Sequence, residues 1–276
     1  MTRPQKHVLG LSGGKDSSAL AVYMSQYRPD LDIDYFFTDT GKELPEVYTF
    51  LTKLEGVLGK PILRLNPDKG FDYWLDRYDN FLPSARARWC TRQLKIEPFE
   101  KWIKPLLDEF DVTSYVAIRA DEQHRLGYDP SDSRVKVEFP FQDAGIDKSG
   151  VLDILDRSGL GLPEYYSWRS RSGCTFCFFQ RHIEWVRLME QHPDAFEEAK
   201  GYEKTSTDQV SGFTWIQNEP LSELEKPDRV AEIKAKHELQ KQKAEAKRAR
   251  NPLRPDSFMD NDEIYGVGDM CITCHK

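Results

Sequence analysis

His7-Val-Leu-Gly-Leu-Ser-Gly-Gly-Lys-Asp-Ser17 reads as a short apolar strand running into a glycine turn, with helical composition following from Ser18 to Tyr27. Two adjacent glycines let the backbone turn tightly and aim several N–H groups inward, and the helix N-terminus behind them adds partial positive charge. Lys15 and the hydroxyls of Ser12 and Ser17 complete the donor set of a phosphate cradle. An ordinary strand–helix turn accounts for a lone Gly-Gly, but it does not call for the lysine and both serines. The string also differs from the G-x-x-x-x-G-K-[ST] loop that holds phosphates in many NTPases.

Outward from that turn, strands and helices alternate. Asp32 to Phe37 is a second strand ending at Thr38-Asp-Thr-Gly41, Pro45 to Leu58 is a helix, and Pro61 to Leu65 is a third strand. Leu94 to Leu107 is helical, with Pro98 and Pro105 expected to mark its start and its end. Val112 to Ile118 is a fourth strand running into Arg119-Ala-Asp-Glu122, and Val135 to Phe139 is a shorter fifth. This order predicts an α/β fold with a doubly wound, mainly parallel sheet covered on both faces. In such sheets ligands sit beyond the C-terminal strand ends. Ser12–Ser17, Asp39–Gly41 and Arg119–Glu122 all fall there.

From Asp147 the character changes to a short amphipathic helix (Val151–Leu155), a loop at Ser172-Gly-Cys-Thr-Phe-Cys177 and a helix over Ile183–Met189. Pro227 to Arg250 is a polar helix with a thin apolar stripe, so the expected organisation is a domain over residues 1–205 and a helical, basic extension over 206–276. The 276 residues are 39% hydrophobic and 12% aromatic, which excludes wholesale disorder. No apolar run approaches the roughly 18 to 20 residues of a membrane span. The opening Met-Thr-Arg-Pro-Gln-Lys-His leads straight into a strand, so a cytoplasmic protein without a secretory leader or membrane partner is expected. Net charge is −7, yet Lys226 to Arg254 holds ten Lys or Arg against four Asp or Glu.

The Ser12–Ser17 string resembles the pyrophosphate loop of the N-type ATP pyrophosphatases, which cleave ATP between the α- and β-phosphates and adenylate their substrate. Asp39-Thr-Gly41 resembles the acidic turn that closes over the nucleotide in that superfamily. Ile118-Arg-Ala-Asp-Glu122 with Arg125, and Trp89-Cys-Thr-Arg-Gln-Leu-Lys-Ile-Glu-Pro98, resemble segments of the phosphoadenosine phosphosulfate (PAPS) reductase family. The resemblance covers about residues 7 to 205 and implies an adenine nucleotide alpha-hydrolase-like fold. It implies that Ser12, Gly13, Gly14, Lys15, Asp16 and Ser17 hold the phosphates of ATP, with Asp39, Thr40, Gly41 and Arg119 also at the nucleotide. Asp39 would ligate Mg²⁺ or orient the nucleotide, and Arg119 would neutralise charge near the α-phosphate. Lys15, Asp16, Arg119 and Cys90 become the catalytic candidates. Read without the family, Asp39 is a helix N-cap and Arg119 a surface ion-pair residue.

Two C-x-x-C pairs among five cysteines point to metal or sulfur chemistry. In the family pattern a Cys-Cys pair and a distant C-x-x-C hold a [4Fe-4S] cluster. Here Cys90 aligns with the first of that pair and Thr91 with the second, so one ligand is missing. Three readings stay open. Cys90, Cys174 and Cys177 hold a cluster with one open iron, or Cys271 or Cys274 supplies the fourth thiolate. Alternatively, Cys174, Cys177, Cys271 and Cys274 form a four-thiolate Zn²⁺ site and Cys90 carries a persulfide.

The single-cysteine form of the Trp89–Pro98 segment looks most like the ATP pyrophosphatase component of DNA phosphorothioation systems of the Dnd and Ssp types. That resemblance implies adenylation of a substrate oxygen, its replacement by sulfur from a cysteine desulfurase partner, and a nucleic-acid substrate, DNA before RNA. The basic stretch Lys241–Arg250 suits phosphate-backbone contact, although a solvated helix face has the same composition. Other readings of the same residues are a phosphoadenylyl or adenylyl sulfate reductase, a tRNA thiolation enzyme, and a nucleotide-sensing DNA-binding subunit without turnover. A homodimer is compatible with each.

Overall fold

A computed structural model describes residues 3–122, 125, 132–204 and 213–249. Its centre is a five-stranded sheet in the order β3-β2-β1-β4-β5, with every pairing parallel. The strands are β1 (Gln5–Leu11), β2 (Ile33–Thr38), β3 (Ile62–Leu65), β4 (Asp111–Tyr115) and β5 (Val135–Glu138). Helices α1 (Lys15–Tyr27) and α2 (Pro45–Leu58) connect the first three strands, and α3 (Phe71–Arg77) follows β3. A single turn α4 (Trp89–Thr91) passes through a π-helical turn (Arg92–Ile96) into α5 (Glu97–Glu109). Beyond β5 come α6 (Pro140–Asp143), α7 (Lys148–Arg157), α8 (His182–Gln191), α9 (Pro193–Tyr202), α10 (Leu221–Leu224) and α11 (Pro227–Ala249).

The side chains of β1 to β4 divide between two apolar layers, and β5 adds Val135 to the smaller one. Leu9, Leu11, Tyr35 and Phe37 join the larger layer with α1, α2 and α7, whereas Val8 and Phe36 join Ile103 and Leu107 of α5 in the smaller one. Successive strand residues point to opposite faces, so burial on both sides makes the strands near-continuous apolar runs. Helices α1 and α2 lie on one face and α5 on the other, which is the doubly wound arrangement the sequence predicts. The strand order changes direction between β1 and β4, and the crevice beyond that pair is where such sheets bind ligands.

Pro105 departs from expectation: it lies inside α5, which runs on to Glu109. An interior proline costs a helix on the order of 3 kcal/mol. Burial of Ile103 and Leu107, with Phe99, Trp102 and Leu106 packed beside them, offsets that cost. The described part of the C-terminal extension is not detached, because Trp215, Leu221, Leu224 and Ile233 are buried in the larger layer. No helix among the described residues is long and apolar enough to cross a membrane.

Candidate active site at the strand ends

β1 delivers Ser12 to the crevice, and the turn that follows depends on two residues without a Cβ. Gly13 has φ +68°, in the left-handed region, and a Cβ there would lie 2.6 Å from Cγ1 of Val47. Gly14 caps α1 in an extended conformation, and a Cβ on it would lie 2.8 Å from Oγ of Ser172. The backbone N–H of Ser12 donates to Oγ of Ser17 at 3.1 Å, and the two hydroxyls are 3.2 Å apart. The loop is thus closed on itself by the serines named from sequence.

It is also closed from behind by residues that sequence reasoning missed. Tyr165 donates its hydroxyl to the Gly13 carbonyl at 2.7 Å, and the Lys15 N–H donates to the Tyr166 hydroxyl at 3.3 Å. The Lys15 ammonium lies 5.5 Å from the centre of the Tyr166 ring. Ser172 donates to Oγ of Ser12 at 3.2 Å. Tyr165 is fully buried, and burial pushes its phenol well above the ordinary range, so it stays a neutral donor.

Lys15, Asp16 and Arg119, three of the catalytic candidates, lie together in the crevice. One Asp16 oxygen is 3.2 Å from the Lys15 ammonium and the other 3.0 Å from Nη1 of Arg119. Burial alone would raise the Asp16 carboxyl, but the two cations outweigh it and hold the group at about 2. Arg119 is 8% exposed, so it is not a surface ion-pair residue. Its Nε and Nη2 donate to the two Asp121 oxygens at 2.9 and 3.1 Å, and Glu122 is bound in turn by Arg125 at 2.9 Å. Burial favours a neutral guanidinium, yet Asp16 and the other carboxylates reverse that and raise Arg119 further.

The turn after β2 faces the same crevice. Asp39 is no helix N-cap: the residue before α2 is Leu44, and Asp39 Oδ1 accepts from the Gly41 N–H at 2.9 Å and the Tyr48 hydroxyl at 2.8 Å. A half-buried carboxylate at this position is a hard oxygen donor of the kind Mg²⁺ takes. Thr40 donates to Oε1 of Glu43 at 3.1 Å and lies 3.3 Å from Sγ of Cys174, whose thiol is 3.8 Å from the same Glu43 oxygen. The Thr175 N–H donates to the Lys42 carbonyl at 2.7 Å, so the first C-x-x-C loop is stitched to the acidic turn. Burial, and then the Glu43 charge, push the Cys174 thiol upward.

Cys90, Cys174 and Cys177 are half-buried and, among the described residues, form no disulfide. Their segments approach one another: Trp89 and Phe176 both pack on the Phe71 ring, with centroids 5.2 and 4.8 Å from it. Among the described residues, however, no three His, Cys, Asp or Glu side chains are grouped to hold a metal ion. Cys271 and Cys274 lie outside the described residues.

A parallel sheet with a glycine loop at its switch point defines a doubly wound α/β fold with that loop where such sheets bind ligands. Residues 6–130, which carry β1 to β4, the loop and Arg119, match the phosphoadenosine phosphosulfate reductase domain. That match supports a PAPS reductase-like family for this part of the chain. An uncharacterized protein of Methanocaldococcus jannaschii is 26% identical over 189 residues, covering 67% of this chain and 44% of its own length. A second from the same organism is 33% identical over 115 residues, covering 42% and 23%. The uncharacterized nin region protein ORF290 of Escherichia phage lambda is 28% identical over 198 residues, covering 62% and 65%. Each alignment spans less than two thirds of the relative's length. Among solved structures, PAPS reductase from Candida auris in its phosphate complex aligns with TM-score 0.48 and 15% identity over 61% of this chain and 81% of that one. The U34-tRNA thiolase NcsA from Methanococcus maripaludis, with its [4Fe-4S] cluster, aligns with TM-score 0.42 and 14% identity over 77% of each.

Proposed function

We propose that this protein is an ATP pyrophosphatase that activates a substrate oxygen for replacement by sulfur, with DNA as the substrate. The observation that carries the reading is the Lys15–Asp16–Arg119 triad beside the glycine loop, with both cations buried and the carboxylate half-buried between them, at the switch point between β1 and β4. Backbone amides of the loop and the Lys15 ammonium would take the phosphate oxygens of ATP. Arg119, by exchanging an Asp121 contact, would meet charge developing at the α-phosphoryl group. Mg²⁺ held by Asp39 would screen the phosphates. A substrate oxygen then bonds to the α-phosphorus as pyrophosphate leaves. In the second half, the outer sulfur of a persulfide received from a cysteine desulfurase would bond to the activated centre as AMP departs with the substrate oxygen. A second thiolate would then take the inner sulfur as a disulfide, leaving sulfur on the substrate and a disulfide that an external thiol reductant reopens. Activation is needed because that oxygen is a poor leaving group until it is esterified.

Pyrophosphate release tests this. Purified protein with Mg²⁺ and ATP should yield pyrophosphate and AMP, faster with DNA, and Lys15→Ala should lower kcat by about 10² or more with the fold intact. Production of ADP and orthophosphate alone would refute it. The domain match supports one other reading, reduction of a sulfonucleotide at the same loop; sulfite release from adenylylated sulfate with thioredoxin would favour that reading over ours. Metal content decides the role of the thiols. Iron with acid-labile sulfide in anaerobically purified protein supports a cluster on Cys90, Cys174 and Cys177. A single zinc supports the pairing of Cys174 and Cys177 with Cys271 and Cys274 and leaves Cys90 as the sulfur carrier.

A further inference from the structure

Away from the glycine loop, a cleft of about 340 Å³ opens between the N-terminal end of α8 and one face of α11. Its lining includes Arg171, Arg181, Arg229 and Lys236, with His237 beside them, and no carboxylate belongs to it. Net charge over the whole chain is −7, so this concentration of positive groups runs against the average. Some of that charge is already engaged. Arg229 is bound by Glu219 at 2.6 Å and Glu232 at 2.7 Å, and Arg181 donates to Oγ of Ser170 at 2.9 Å. Lys236 stands exposed at the mouth.

Two further features give the cleft a direction. Phe179, in its wall, has the guanidinium carbons of Arg171 and Arg88 at 5.6 and 5.7 Å from its ring centre. Arg88 is two residues from Cys90 and Phe179 two from Cys177, so one end of the cleft abuts the thiol-bearing segments. At the other end the face continues along α11. Residues three and four apart share a helix face, so Lys236 and Gln240 lead on to Lys243, about 10 Å further along the axis. A positive track longer than one phosphate and ending beside the thiol-bearing segments fits a chain of phosphates better than a single one.

We infer that the α8–α11 cleft binds the phosphodiester backbone of a nucleic-acid strand and leads it toward the Cys90 and Cys174–Cys177 segments. The inference rests on the proposed function for why a strand should be brought there, while the cleft itself is argued from charge and shape. Backbone contacts of this kind position a strand without reading its sequence.

The test is binding of labelled DNA and RNA oligonucleotides to the full chain across a salt series, with ATP and inorganic phosphate as competitors. The variant Lys236→Glu/Lys243→Glu changes exposed residues outside the nucleotide site, so it should fold and keep its basal pyrophosphate release. Its affinity for the oligonucleotide should fall by about tenfold or more, and the slope of log affinity against log salt should shrink by about 1 to 2. Arg171→Gln should weaken binding in the same direction. Comparison of the DNA and RNA arms identifies the polymer. Equal affinity and equal salt slope in wild type and variants would overturn the inference, as would binding of free phosphate in the cleft with no oligonucleotide binding. Variant-sensitive strand binding in a protein that releases no pyrophosphate would leave the cleft standing and remove the proposed activity. Pyrophosphate release without strand binding would do the reverse.

Discussion

The hydroxyl of Tyr165 is hydrogen-bonded to the carbonyl of Gly13 at 2.7 Å, across 152 residues of sequence. Gly13 has to present a left-handed turn, and a buried donor from the far half of the chain fixes the carbonyl of that turn. Tyr165→Phe removes the donor and leaves the shape. The expected loss is about 1 to 3 kcal/mol in denaturant unfolding, because a buried carbonyl is left unsatisfied. The KM for ATP should rise more than kcat falls, which steady-state kinetics would show.

Gly13→Ala meets two penalties at once. A left-handed conformation costs a non-glycine residue roughly 1 to 2 kcal/mol, and the new methyl would strike Val47. Thermal unfolding should therefore fall, and Val47→Ala added to Gly13→Ala should restore part of the stability by removing the clash. A Gly13→Ala protein as stable as wild type would contradict the described turn.

Acid should weaken the triad in a defined window. The Asp16 carboxyl sits at about 2 in the folded chain, against an ordinary 3.8. Its contribution is therefore complete above about pH 4 and is lost as pH falls toward 2, amounting to on the order of 2 kcal/mol. Asp16→Asn should flatten the stability–pH curve between those limits. An unchanged acid limb would show that Asp16 is not held between the two cations.

Glu43 should govern how fast Cys174 reacts. Burial and the Glu43 carboxylate both hold the Cys174 thiol protonated, and only the thiolate is nucleophilic. Glu43→Gln keeps the acceptor for Thr40 and removes the charge. Alkylation of Cys174 by iodoacetamide at about pH 8, followed by peptide mass, should speed up severalfold in the variant.

The sheet was legible because its strands are apolar on both faces and its glycine turn carries its own chemistry. Pro45 to Leu58 was readable to the residue, with proline in the first turn and Gly59 beyond the end. Pro105 misled, since local propensity gives no view of the aromatic layer that holds α5 together. The short helix α3 was missed because its role is tertiary: Phe71 is the ring on which Trp89, Phe176 and Tyr202 meet. At the site, Lys15, Asp16 and Arg119 followed from motif resemblance. Tyr165, Tyr166 and Ser172 carry no such signal, because their partners are backbone groups and hydroxyls more than 150 residues away. Glu43 sat within reach, two residues past Gly41 in the same acidic turn.

The stretch that matches the reductase domain ends at residue 130, whereas the three hydroxyls backing its glycine turn belong to residues 165, 166 and 172. Cut at that border, the first half would keep the Ser12–Ser17, Asp39–Gly41, Trp89–Pro98 and Arg119–Glu122 segments and lose the wall against which its glycine turn is set. Any piece of the chain chosen for expression, fusion or transplantation therefore needs to run past Ser172, and a shorter fragment that fails to bind nucleotide would say nothing about the motifs it retains.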